Sequence, residues 1–160
     1  MPYTPPSTVT GSDVLTAALW NTQIRDNFES LPRGVVGKAQ SIVTQTGIGG
    51  TKADVTGLTV TWTATTSRLY LTTVYFETVQ GASAATMEAV ITTGSNGLLQ
   101  QFLAQVPATS ANPVFMQLYE TGLSGSQTRK ARVSTNVSTM SVIADVTYPS
   151  QIIVQDIGPA

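Results

Sequence analysis

Leu58-Thr59-Val60-Thr61-Trp62-Thr63 alternates apolar and hydroxyl side chains over six residues without a break. Successive side chains of an extended chain point to opposite faces, so Leu58, Val60 and Trp62 fall on one side and three threonines on the other. Threonine is stiff at χ1 and packs well on a pleated surface, which favours a strand over a helix here. The stretch therefore predicts a half-buried strand with one dry and one wet face.

The same period runs outward from it in both directions. Val142, Ala144, Val146 and Tyr148 alternate with Ile143, Asp145 and Thr147, predicting a second half-buried strand. Residues 69–79 are apolar on both faces and predict a central strand, or one covered by a neighbour. Further strands are predicted near 39–46, 86–93, 98–106, 114–120, 130–138 and 151–157. Turn signals separate them at Gly47–Gly50, Thr65–Ser67, Gly81–Ser83, Gly94–Gly97, Ser110–Pro113, Gly122–Ser126 and Pro149-Ser150. Short strands at near-regular spacing predict a mainly β protein, an antiparallel β-sandwich or jelly roll.

The N-terminal stretch reads differently. Pro2, Pro5 and Pro6 make residues 1–13 an extended arm. Trp20, Ile24, Phe28 and Leu31 then recur at helical spacing, with Ala17 three residues earlier, and predict one amphipathic helix. Thr16 suits its N-cap, with Leu15 and Trp20 as a hydrophobic staple; Thr10 with Asp13 is the competing start. Pro32 ends the helix in either case. The expected division is residues 1–34 as arm and helix, and 35–160 as the β domain. The stripe has two uses, to cover the chain's own sheet or to pack against another protein. On the second, Leu15, Leu19, Trp20, Ile24, Phe28 and Leu31 are the candidate partner or oligomer interface.

Composition narrows the chemistry. Of 160 residues only 11% are charged, the net charge is −1, and threonine is the commonest residue. No basic field exists to attract nucleic acid or anionic lipid, and no apolar run approaches the roughly 20 residues of a membrane helix. Histidine and cysteine are both absent, which removes triad and thiol catalysis, imidazole and thiolate zinc sites, and disulfides. The start of the chain lacks the basic and apolar regions of a secretory signal, so release by lysis is the expectation. Gly47-Ile48-Gly49-Gly50 is followed by no Lys-Ser/Thr and reads as a hairpin loop rather than a phosphate loop.

Three constellations remain. If residues 69–79 and 86–93 form a hairpin, Glu77 and Glu88 sit opposite each other, an arrangement that could cleave glycosides or hold a cation. Solvated acids on a strand face are the plainer reading. Arg129, Lys130 and Arg132 form one basic cluster, read as solvated strand-end charge. Tyr70, Tyr75, Tyr119 and Tyr148 are available to stack on sugars, whereas Trp62 and Phe76 fall in core-like alternation. No catalytic residue, cofactor or metal is expected, and the chain is read as not an enzyme.

Two stretches carry a resemblance. Leu15-Thr16-Ala17-Ala18-Leu19-Trp20-Asn21, followed by Ile24-Arg25-Asp26-Asn27-Phe28, resembles the N-terminal helix signature of small virion proteins of siphovirus-type actinobacterial bacteriophages. Gln151 to Pro159 is similar to their closing strand, with Gln155 where Glu is more usual, and Gly57 to Tyr70 is similar in character. The resemblance implies a structural role on the particle, as capsid decoration, head fibre, tail tip or minor tail protein. It implies oligomerisation, with a trimer the best single expectation, and as partners the major capsid protein or another virion protein. Assembly in the host cytoplasm and residence in the virion follow from it.

Overall fold

The computed structural model describes Thr16 and residues 31–160, apart from Ala82, Val137 and Ser138. Ten strands follow one another: β1 (Gly34–Ser41), β2 (Gln45–Ile48), β3 (Ala53–Ala64), β4 (Arg68–Gln80), β5 (Ala85–Thr93), β6 (Leu98–Val106), β7 (Ala111–Glu120), β8 (Gly125–Thr135), β9 (Met140–Ile143) and β10 (Ser150–Pro159). All pairings are antiparallel.

Two pairs of these strands are single columns interrupted midway. β10 and β9 follow each other along one edge of β4, and β1 and β2 lie beside them in the same order. Counted as columns, the first sheet runs β1/β2, β9/β10, β4, β7, and the second runs β3, β8, β5, β6. In chain order these are columns 1-8-3-6 and 2-7-4-5, the double Greek key of a jelly roll. Only the β5–β6 connection is a hairpin within one sheet. Asn96, at φ 72°, closes it, with Thr93 N–H donating to Gly97 O at 2.8 Å. The connections between the other columns pass from sheet to sheet.

The inward faces form one core. Leu58, Val60 and Trp62 are buried as the alternation requires, and so are Tyr70, Val74 and Phe76 of β4. β4 is paired along both edges, the central strand its sequence predicts, with Tyr70, Val74 and Phe76 inward and Leu71, Thr73 and Tyr75 on the outer face. At the edge where β1 approaches β3, glycine permits the contact. A Cβ on Gly57, itself at φ 80°, would lie 2.9 Å from Gln40 O, and one on Gly37 would lie 2.7 Å from Val60 Cγ2.

The open end of the core is sealed by charge. Arg68 and Asp156 pair there almost fully buried, and Arg129 donates to both carboxylate oxygens of Glu120 at 2.9 and 2.7 Å. The Arg129 guanidinium also lies over the Trp62 ring, 5.2 Å from its centroid. Arg129 is thus a buried core cation and not the solvated charge its cluster suggested.

The strand expected through Tyr148 stops at Ile143. Asp145 Oδ1 accepts from the N–H groups of Thr147 and Tyr148, both at 2.7 Å, and folds residues 144–149 out of the sheet. Val146 and Tyr148, expected on a dry face, are 80% and 74% exposed. The neighbouring column breaks at the same level, between Ser41 and Gln45, so the strand expected at 39–46 is two. Thr44 Oγ1 joins the breaks, donating to Ala144 O at 3.1 Å and accepting from Ala144 N at 3.2 Å.

The helix expected between Thr16 and Leu31, with Leu15, Leu19, Trp20, Ile24 and Phe28, lies outside the described residues. Leu31, the last member of the stripe, is 53% exposed. Its carbonyl accepts from Arg68 Nη2 at 2.7 Å, which brings the chain in at the charged end of the sandwich.

Candidate interaction surface

Glu77 and Glu88 do not face each other. β4 and β5 belong to different sheets because the connection between them crosses the sandwich, a route a turn signal cannot distinguish from a hairpin. Glu77 is flanked by Pro113 and Ile143 on the first sheet, and Glu88 by Leu103 and Ser134 on the second. They point outward from opposite sides, so the paired-carboxylate geometry is absent.

Glu88 instead belongs to a charged surface. Lys52 Nζ lies 2.9 Å from its Oε2, Gln101 donates to Oε1 at 2.6 Å, and Ser134 Oγ donates to Oε2 at 3.3 Å. The Lys52 contact holds the carboxyl below its usual range against the opposing effect of burial. Beside it Asp54 pairs with Lys130 at 2.9 Å and Arg132 at 2.7 Å, and the Lys130 bond lowers its pKa in the same way. Thr59, Thr61 and Thr128 continue this face, with the last two hydroxyls 2.9 Å apart. A shallow hollow of about 240 Å³ opens next to Glu88, between Leu103, Thr86 and Asn136.

The outer face of the first sheet has the opposite character. Its register sets three rows of four side chains running from β7 through β4 and β10 to β1. They read Phe115–Tyr75–Gln151–Gln40, Gln117–Thr73–Ile153–Lys38 and Tyr119–Leu71–Gln155–Val35. Of these twelve, three are aromatic, three aliphatic, four are glutamines, one is threonine, and Lys38 alone is charged. Phe115, Tyr119 and Val35 are 57–59% exposed, large apolar groups left open to water. Glu77, in the next row beyond Tyr75, is the nearest acid on this face, and Tyr75 Oη donates to it at 3.4 Å.

Of the four tyrosines considered for stacking, Tyr70 is buried, its hydroxyl accepting from Thr65 N–H at 2.7 Å. Tyr75 and Tyr119 lie on this face, and Tyr148 stands on the 144–149 loop. Sequence reading missed Phe115 as a surface residue. Its alternation with buried Val114 and Met116 was the available signal, since it puts Phe115, Gln117 and Tyr119 on one side and the core on the other.

No family model and no curated protein matches the chain. Among solved structures it is similar to a chain of infectious bursal disease virus, Gx strain, at 10% identity and TM-score 0.46, over 98% of this chain and 43% of that one. The VP2 subviral particle of the same virus gives 8% identity and TM-score 0.44 over the same shares. A CBM4 structure aligns at 8% identity and TM-score 0.35, covering 77% of this chain and 94% of that one. The chain spans less than half the length of the viral chains it aligns with.

Proposed function

We propose that this chain is a structural component of a phage virion, a capsid decoration or head-surface protein that binds the capsid shell. The carrying observation is how the closing motif, Gln151 to Pro159, is used. It forms β10, at the centre of the first sheet; Ile152, Val154 and Asp156 are buried and Gln151, Ile153 and Gln155 join the neutral outer face. The one charge in the motif, Asp156, is held in the buried ion pair with Arg68. On this reading residues 1–34, with Leu15, Leu19, Trp20, Ile24, Phe28 and Leu31, anchor the protein, and the β domain projects as a trimer.

The alternative places the same sandwich at a tail tip or fibre, binding host glycans. Tyr75, Phe115 and Tyr119, exposed among glutamines, favour it, because sugars stack on aromatic rings and bond to amides. Copy number separates the two. Quantitative mass spectrometry of purified particles gives a copy number comparable with the capsid protein for decoration, and only a few per particle for a tail tip. Absence from the particle overturns both.

A further inference from the structure

We infer that the outer face of the first sheet is where copies of this chain pack against one another. The argument starts from the contrast between the two sides of the sandwich. One carries Lys52, Asp54, Glu88, Lys130 and Arg132, every one already paired within the chain. The other is aromatic, aliphatic and amide, with charge among the described residues at Lys38 and Glu77 alone. Depletion of charge with enrichment of aromatic residues marks the core of a protein interface and not an ordinary wet surface.

Those two charges identify the occupant. Lys38 is exposed on β1, at one edge of the sheet, and makes no ion pair among the described residues. Glu77 lies on β4, two columns across, and its hydrogen bond there comes from the neutral Tyr75. A face holding one free cation and one free anion is complementary in charge to itself. A second copy supplies the ion-pair partner that each lacks among the described residues, whereas a neutral glycan supplies neither. Phe115, Tyr75, Tyr119 and Leu71 form the apolar centre, and Lys38 and Glu77 fix the register of the contact. This goes beyond the virion reading and stands without it, since it concerns the isolated protein: a face that complements itself pairs two copies about a two-fold axis, a contact separate from any trimer made through residues 1–34.

The test is the mass of the full-length protein by sedimentation across a concentration series, for the wild type and four variants. Phe115→Arg with Tyr119→Arg is expected to give a monomer with an unchanged far-UV spectrum. Lys38→Glu and Glu77→Lys are each expected to raise the dissociation constant by about tenfold or more, and the double reversal to restore assembly. If the arginine variant misfolds, the reversals decide alone. A monomeric wild type overturns the proposal, as do reversals that change nothing or are not rescued in combination. Variants that melt lower with unchanged mass overturn it too, because the face is then covered by the chain's own residues 1–30.

Discussion

Arg68 of β4 and Asp156 of β10 meet across two adjoining columns of the same sheet, 88 residues apart in the chain, with Nε 2.9 Å from Oδ2 and Nη2 2.6 Å from Oδ1. Their side chains are 5% and 1% exposed. Asp156 also accepts from Gly158 N–H at 3.1 Å, and Arg68 reaches on to the carbonyl of Leu31. One ion pair therefore ties the end of the last strand to the start of β4 and to the point where the N-terminal segment enters.

Removing one member leaves the other buried without its counter-charge. Asp156→Ala is expected to destabilise the fold by about 3–5 kcal/mol, the usual cost of orphaning a buried charge. Replacing both, as Arg68→Met with Asp156→Leu, is expected to cost markedly less than the single change. Chemical denaturation of the three proteins checks this, and a double variant no better than Asp156→Ala would show the pair is not the source.

Thr72 presents a simpler case. It points inward from β4, fully buried, and its hydroxyl has no hydrogen-bond partner among the described residues. A buried hydroxyl without a partner costs about 1–3 kcal/mol. Thr72→Val keeps the shape and removes the polar atom, so it is expected to raise the melting temperature. An unchanged or lowered temperature would mean that the hydroxyl is satisfied, for instance by water.

Stability at acid pH follows from the second sheet's outer face. The carboxyls of Glu88 and Asp54 are held below their ordinary values of 4.5 and 3.8 by hydrogen bonds from Lys52 and Lys130. A carboxyl whose pKa is depressed on folding adds stability above its unfolded value, and that stability is lost as pH falls through the folded one. The loss belongs below about pH 4.5 and is modest, because both groups are partly exposed. Glu88→Gln is expected to flatten the fall in melting temperature over that window and to leave the curve above pH 6 parallel to the wild type.

These features were unequally legible in the sequence. Period-two alternation located Leu58, Val60 and Trp62 in the core and placed β6 at its observed bounds, because side-chain direction in a strand is a local property. The crossing of β4 to β5 was not legible, since a short turn joins strands within a sheet or across two sheets equally well. That is why Glu77 and Glu88 were drawn together and the structure separates them. The fate of Asp145 was decided by competition: the apolar alternation around it favours a strand, and its side chain bonding to two following amides favours a turn. The neutral face was hidden for another reason. Phe115, Tyr75 and Ile153 are distant in sequence, and only the register brings them into adjoining rows.

The last prediction concerns residues 1–30. Trp20, Ile24 and Phe28 share one stripe at helical spacing, and fully burying such side chains contributes about 1.5–3 kcal/mol each. Among the described residues the core runs from Ile48 to Val154, and the Arg68–Asp156 pair joins two strands of the β domain itself. Deleting residues 1–30 is therefore expected to leave a folded β domain that no longer attaches to particles. Trp20→Ala with Phe28→Ala in the full chain is expected to do the same at unchanged melting temperature. Thermal melting and particle binding of both proteins, side by side, check this. A truncated chain that folds and still binds particles normally would remove the anchoring role, and a full-chain double variant with a lowered melting temperature would assign the stripe to the chain's own sheet.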